Sequence, residues 1–186
     1  MTRTSNIIMV SVACLAMAGC KSWDLPVHED PVVMGVGGGS GRIAVVYHPG
    51  GSSFPKRTVA RLGKDLVLRG YVVTVNTASP DLPFDTKNYD ALVLLSPVYG
   101  AQIRPPVRQF VSTHAPFSVP VFVVLTGMFS KGFYENHDLP MLTEFLSHAG
   151  VKLTAAVKVA TTRFPVHNEG RIRSLCDSID ATLGSD

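Results

Sequence analysis

IAVVYHPGGSSFPKRTV, residues 43–59, decides the fold. Its first five residues, Ile43 to Tyr47, are apolar or aromatic and rich in β-branched side chains. That run is too short for a helix and suits a strand buried on both faces. The chain then breaks into Pro49, Gly50, Gly51, Ser52 and Ser53. The glycines allow backbone angles that other residues avoid and remove the Cβ atoms that would hold a ligand off the main chain. Pro55 suits a first helical turn, Val59, Leu62 and Leu66 recur at helical spacing, and Gly70 supplies a stop. In a strand, loop and helix arranged this way, the unpaired N–H groups and the dipole of the helix start would hold an anion. The loop has neither the Gly-Lys-Ser/Thr of a P-loop nor the G-x-G-x-x-G spacing. A tight strand-to-helix turn that needs glycine for geometry alone is the competing reading of the same residues.

Outward from this stretch, strand and helix patterns alternate. Tyr71 to Val75 reads as a second strand and Asp81 to Asn88 as a polar connection. Ala91 to Leu95 is an uninterrupted apolar strand ending at Ser96-Pro97, followed by Val98-Tyr99-Gly100 and a short helix near Pro106 with Val107, Phe110 and Val111 inward. Pro120 to Leu125 is a fourth strand ending at Thr126-Gly127, before a loop containing Phe129, Phe133 and Tyr134. Asp138 is placed to cap a helix carrying Leu142, Phe145 and Leu146, with Gly150 as its stop. Val151 to Val159 supplies a fifth strand, and Asn168 is placed to cap a last helix with Ile172, Leu175, Ile179 and Leu183 inward. Five strands alternating with helices imply an α/β fold with a parallel sheet covered on both faces. Such sheets bind ligands at the carboxyl ends of their strands. The distinctive loops, 48–54, 96–104 and 126–137, all follow strands and should therefore converge on one edge.

The whole chain narrows the function. Its 186 residues, 46% hydrophobic and 17% charged, suffice for one domain with a substantial core. The formal charge of +3 is spread without a basic run, so nothing in the composition supports a nucleic-acid partner. Cys14, Cys20 and Cys176 show no zinc or redox spacing, and Cys176 reads as a small core residue. The six histidines show no metal-ligand spacing. His48 stands apart through its place in the loop, with an exposed turn residue as the alternative. A nucleophile elbow, G-x-S-x-G, is missing. A receiver domain would need acidic residues where Tyr47-His48 and Ser96 stand.

YDALVLLSPVYGAQIRPPVRQF, residues 89–110, resembles the flavodoxin-like pattern of a buried strand, Ser-Pro, an aromatic, glycine and a proline-led helix. The similarity spans roughly Ile43 to Leu183. It implies a three-layer α/β/α sandwich with a five-stranded parallel sheet in the order 2-1-3-4-5, and noncovalent FMN. The cofactor set it implies is His48, Gly50, Gly51, Ser52, Ser53, Ser96, Pro97, Val98, Tyr99, Gly100, Thr126 and Gly127. In it the Gly50–Ser53 loop would hold the phosphate and Tyr99 would lie on the flavin face, with Phe129, Phe133 or Tyr134 on the other. The loop His48–Pro55 has fewer threonines than the family's Ser/Thr-x-Thr-Gly-x-Thr, and the pI near 8.8 differs from the acidic balance of soluble electron carriers. The expected function is electron transfer to or from a quinone or a protein partner. The alternatives are an NAD(P)H:quinone reductase-type flavoenzyme and a cofactor-free binding module of the cell envelope.

The chain start adds a location. Arg3 is the only charge before Cys20, and the apolar stretch Ile7 to Met17 is shorter than the ~20 residues of a membrane span. This is a signal-peptide pattern. Met17-Ala18-Gly19-Cys20 resembles a bacterial lipobox, which implies cleavage before Cys20, lipidation of that residue, and an envelope protein anchored to a membrane and facing away from the cytoplasm. Loss of Arg3 lowers the formal charge from +3 to +2. Residues 1–19 are thus expected as signal peptide, 20–42 as a glycine-rich tether, and 43–186 as the domain.

Overall fold

The computed structural model describes residues 25–37, 39–100, 102–128, 131–161 and 166–184. The expected signal peptide and Cys20 lie outside them. The strands are β1 (Val32–Met34), β2 (Gly41–Tyr47), β3 (Tyr71–Thr77), β4 (Ala91–Tyr99), β5 (Gln102–Ile103), β6 (Val121–Gly127) and β7 (Leu153–Ala160). The helices are α1 (Ser53–Leu68), α2 (Pro105–His114), α3 (Leu139–His148) and α4 (Val166–Leu183). A helical turn at Lys131–Phe133 and a π turn at Tyr134–Asp138 lead into α3.

The sheet order is β1-β3-β2-β4-β6-β7, with β5 paired to β4. Strands β3, β2, β4, β6 and β7 are mutually parallel, which is the 2-1-3-4-5 order of the flavodoxin-like fold. The alternation of side chains along each strand divides the core in two. Val45, Val93, Leu95 and Val124 pack under α1 and α4 through Leu62, Leu66, Leu175 and Ile179. Ala44, Val46, Leu92, Leu94 and Val123 pack under α2 and α3 through Phe110, Val111, Leu142 and Leu146. With both faces covered, β2 and β4 are apolar without alternation. Cys176 is a buried core residue, and desolvation pushes its thiol up to about 11.

Four expectations need correction. First, the glycine-rich segment is not a free tether along its length. Val32–Met34 pairs antiparallel with β3, and the connector after it crosses the start of β3. There Ser40 N donates to Gly70 O at 2.9 Å, and a Cβ on Gly39 would fall 1.6 Å from that same oxygen. Glycine is needed at this crossing because two backbones touch. Second, Asp138 does not cap α3. It sits in the π turn, fully buried, and pairs with Lys158. Third, Asn168 lies inside α4, where its amide bonds both backbone groups of Ala160, at 2.9 and 2.7 Å, and pins the helix to the end of β7. Fourth, the polar connection after β3 is partly core. Phe84 stacks on Tyr89 and meets Phe110 edge-on, with centroids 5.5 and 5.1 Å away.

The central strands carry most of the stability. Leu95→Ala, fully buried in β4, is expected to lower unfolding stability by about 2–5 kcal/mol. Val33→Ala, exposed on β1, should stay within about 0.5 kcal/mol, both read from urea midpoints.

Candidate functional site at the carboxyl edge of the sheet

Because the five central strands run parallel, β2, β4 and β6 deliver their following loops to one edge. His48 N donates to Leu95 O at 3.1 Å, extending the β2–β4 ladder past the end of β2. The two loops then touch. Gly50 has φ +64, and a Cβ there would meet the Pro97 ring at 3.1 Å and the Pro55 ring at 3.7 Å. Any other residue would be strained in conformation and wedged between two prolines.

The expected cofactor set separates by burial. Gly51, Ser52, Ser53, Tyr99 and Gly100 are exposed, and Gly50 and Gly127 are half-buried. His48 is 1% exposed, and Ser96, Pro97, Val98 and Thr126 are also buried. His48 is therefore neither a surface turn residue nor a side chain displayed at the edge. Ser96 closes the chain reversal after β4, its hydroxyl donating to Pro97 O at 2.9 Å and accepting from Arg104 N at 3.0 Å. Val98 and Tyr99 pair antiparallel with Ile103 and Gln102, so the loop is a hairpin with Gly100 at φ +57 in its turn. At Gly127 a Cβ would lie 3.1 Å from Val98 O, so glycine lets β6 end close against β4.

At the start of α1, Ser52 is the N-cap, its hydroxyl accepting from Phe54 N at 3.4 Å, and Ser53 Oγ accepts from Arg57. Both oxygens accept these bonds, which leaves each hydroxyl its own O–H to donate to a phosphate. Ser53 and Arg57 stand at i and i+4, the spacing that brings side chains together on a helix, so a cation lies beside the loop. The first turn of α1 contributes no acidic residue of its own to oppose the positive end of the dipole, and the carboxylate brought to it, that of Glu29, is paired with Lys56.

Tyr99 is 49% exposed, with the Arg104 guanidinium over its ring at 5.1 Å. Met128 and Phe133, after β6, are 85% and 45% exposed. Tyr134 does not cover the edge: it packs against the core and donates to Ala156 O at 3.0 Å, and burial raises its pKa. Phe129 lies outside the described residues. Beneath Phe133 is the buried Lys158–Asp138 pair, with Lys158 Nζ 5.7 Å from the Phe133 ring centre. Asp138 Oδ1 has no hydrogen-bond partner among the described residues. Helix patterning places Asp138 outward as a cap, which conceals this pair.

The segment before β1 reaches the same edge. Glu29 N donates to Thr77 Oγ1 at 3.2 Å, Tyr47 OH donates to the Glu29 carboxylate at 3.0 Å, and Lys56 forms an ion pair with it. The Lys56 hydrogen bond holds the Glu29 carboxyl below its ordinary value, and burial with the Glu29 contact pushes the Tyr47 phenol up. Among the described residues there is no group of three or more metal-ligating side chains, and no helix is long and apolar enough to cross a membrane.

The fold so defined is flavodoxin-like. No family model and no curated protein matches the chain. Among solved structures it is similar to oxidised flavodoxin 1 from Bacillus cereus, at 10% identity and TM-score 0.55, covering 75% of this chain and 97% of that one. The NAD(P)H:quinone oxidoreductase from Methanothermobacter marburgensis aligns at 12% identity and TM-score 0.52, covering 76% and 96%. The apo form of the NADH:FMN oxidoreductase EmoB aligns at 16% identity and TM-score 0.56, covering 78% and 89%. At these identities the likeness is one of fold.

Two measurements test the fastenings of this edge. Lys158→Met, which leaves Asp138 buried without its cation, is expected to cost about 3–5 kcal/mol in chemical denaturation, and adding Asp138→Leu should recover most of it. Because the Glu29 pKa lies below its ordinary value of 4.5, the contribution of its carboxylate to docking the segment is complete above that value and is lost as pH falls through the lowered pKa. The Glu29 and Thr77 amide NMR shifts should be flat from about pH 7 down to that value and move below it, and Glu29→Gln should abolish the movement.

Proposed function

We propose that this chain is an FMN-binding redox protein, held to a membrane by lipid on Cys20, that passes electrons to or from a quinone or a protein partner. The observation that supports it most is the direct contact between the Gly50 loop, which leads into α1, and the strand that ends in half-exposed Tyr99. Donors for an anion and a surface for a flat aromatic ring thus stand on neighbouring strands. The residues fit such a group. Backbone N–H groups from Gly51 to Ser53 would hold the phosphate, and Arg57, fixed on Ser53, adds a cation nearby. Tyr99 would offer an apolar contact to the ring, which disfavours added negative charge and so tunes the potential. The flavin itself would supply reversible transfer of electrons or hydride. The solved structures of like fold, several of them flavodoxins or flavin-linked oxidoreductases by name, are consistent with this reading.

Met128 and Phe133 give the second reading a specific footing. As exposed apolar side chains after β6, they would wall a substrate-sized space above the ring, as an NAD(P)H:quinone reductase-type flavoenzyme requires.

The test is titration of the protein with FMN, followed by visible absorption and flavin fluorescence. Flavin bands that co-purify with the protein are expected. Gly51→Asp, which puts a carboxylate at the exposed loop, should weaken binding about tenfold or more by repelling the phosphate. Tyr99→Ala should weaken it about fivefold, equivalent to roughly 1 kcal/mol of lost ring contact. A protein that leaves added FMN free overturns the redox reading and leaves a binding module.

A further inference from the structure

We infer that the carboxyl edge of the sheet, the one carrying Tyr99, Met128 and Phe133, faces the lipid bilayer. This orientation rests on the anchor at Cys20 proposed above and deepens that reading by fixing which surface the anchor turns toward the membrane.

The chain reaches the domain at this edge. β1 runs antiparallel to β3, with Val32 opposite Val75 and Met34 opposite Val73, so the chain arrives at the carboxyl edge and leaves from the opposite one. The point of arrival is fastened there. Glu29 is held by Thr77 at the end of β3, by Tyr47 at the end of β2, and by Lys56 in the first turn of α1. Neighbouring strands are roughly 5 Å apart, so this point lies about 10 Å across the sheet from the end of β4.

Length then favours one orientation. Nine peptide units separate Cys20 from Glu29, a reach of roughly 30 Å at full extension. Six residue steps of β3, from Tyr71 to Thr77, put the Glu29 contact about 20 Å above the amino edge of the sheet. A flexible chain of nine units has a root-mean-square span of about 15–18 Å, so resting the amino edge on the membrane stretches the tether, whereas the carboxyl edge comes down on it with the tether slack. A tether fastened at the opposite edge would have turned the site away.

The surface has the chemistry for that neighbour. Tyr99, Met128 and Phe133 are exposed apolar or amphipathic side chains on the loops of this edge, and Leu25 is exposed four residues before Glu29. Arg57 puts a cation beside them, suited to anionic headgroups, and Lys131 adds another that is paired with Glu135. Val36 and Leu68, at the far edge, show that exposed apolar residues are not confined to this one, so the fastened point of arrival carries the assignment. The consequence is that the site opens toward lipid, which places a lipid-dissolved quinone nearer to it than a soluble protein partner.

The experiment uses the full chain expressed in a bacterial host, purified in mild detergent, with its intact mass recorded. It is then reconstituted into phosphatidylethanolamine/phosphatidylglycerol vesicles, and hydrogen–deuterium exchange is compared between detergent and vesicles. Peptides covering Tyr99 and Met128 are expected to slow about threefold or more on vesicles, while those covering Phe84 to Asp90 and Gly150 to Lys152 stay unchanged. Glu29→Gln combined with Lys56→Met, which releases the point of arrival and lengthens the effective tether, should shrink that difference between edges. Equal protection at both edges, or stronger protection at Phe84 to Asp90, overturns the orientation while the anchor stands. A mass without acyl groups on Cys20 overturns the anchor and the orientation together. FMN binding is read separately from the absorption spectrum, so its failure is distinguishable from either.

Discussion

The structure depends on the parallel pairing of β2 between β3 and β4. A parallel pair needs a crossover for each strand, and the helices α1, α2, α3 and α4 supply the two apolar layers that the sheet requires. Val45 and Val46 point into opposite cores, and because each helical crossover returns the chain to the same edge, the strands of the parallel set run the same way and their carboxyl ends fall together. The site is a consequence of that constraint. Its loops are joined there by the topology, although the residues that form them lie far apart in the chain.

Within the site, tight backbone contacts matter more than polar side chains. Gly50 fits between Pro97 and Pro55, and Gly127 fits against Val98 O. Ser96 is occupied in bracing the hairpin, and Ser52 in capping α1. What remains on display is main chain at the start of a helix with Ser52, Ser53 and Arg57 beside it, a half-exposed tyrosine and two further apolar side chains. An edge of this kind suits a ligand that is anionic at one end and flat and apolar at the other.

The buried Lys158–Asp138 pair introduces a different constraint beneath the same loops. Two charges removed from water are stable only while each has the other, so the β7 strand and the π turn are tied in register by a contact that neither can relinquish alone. The π turn carries Phe133 at its border, and its ring lies above the pair, 5.7 Å from Lys158 Nζ. On the opposite flank of the edge, Glu29 performs a milder version of the same role, fastening the incoming segment to β2, β3 and α1 at once.

The sequence by itself determined the α/β class and the loops that meet at the edge, because apolar runs of strand length alternate with helical spacing and each break carries Gly, Pro or Ser; the strand order followed from the resemblance of residues 89–110 to the flavodoxin-like pattern. It also named Cys176 as core and α2 from Val107, Phe110 and Val111. Only the tertiary structure decided which members of those loops are displayed. His48 and Ser96 look like ligand residues from their places in the chain, and their burial depends on how neighbouring strands cover them. Pairing between distant residues, such as Asp138 with Lys158 or Glu29 with Lys56, leaves no local pattern to read. The short β1 was hidden for the same reason: three residues carry no periodicity, and they become a strand only because β3 offers them an open edge.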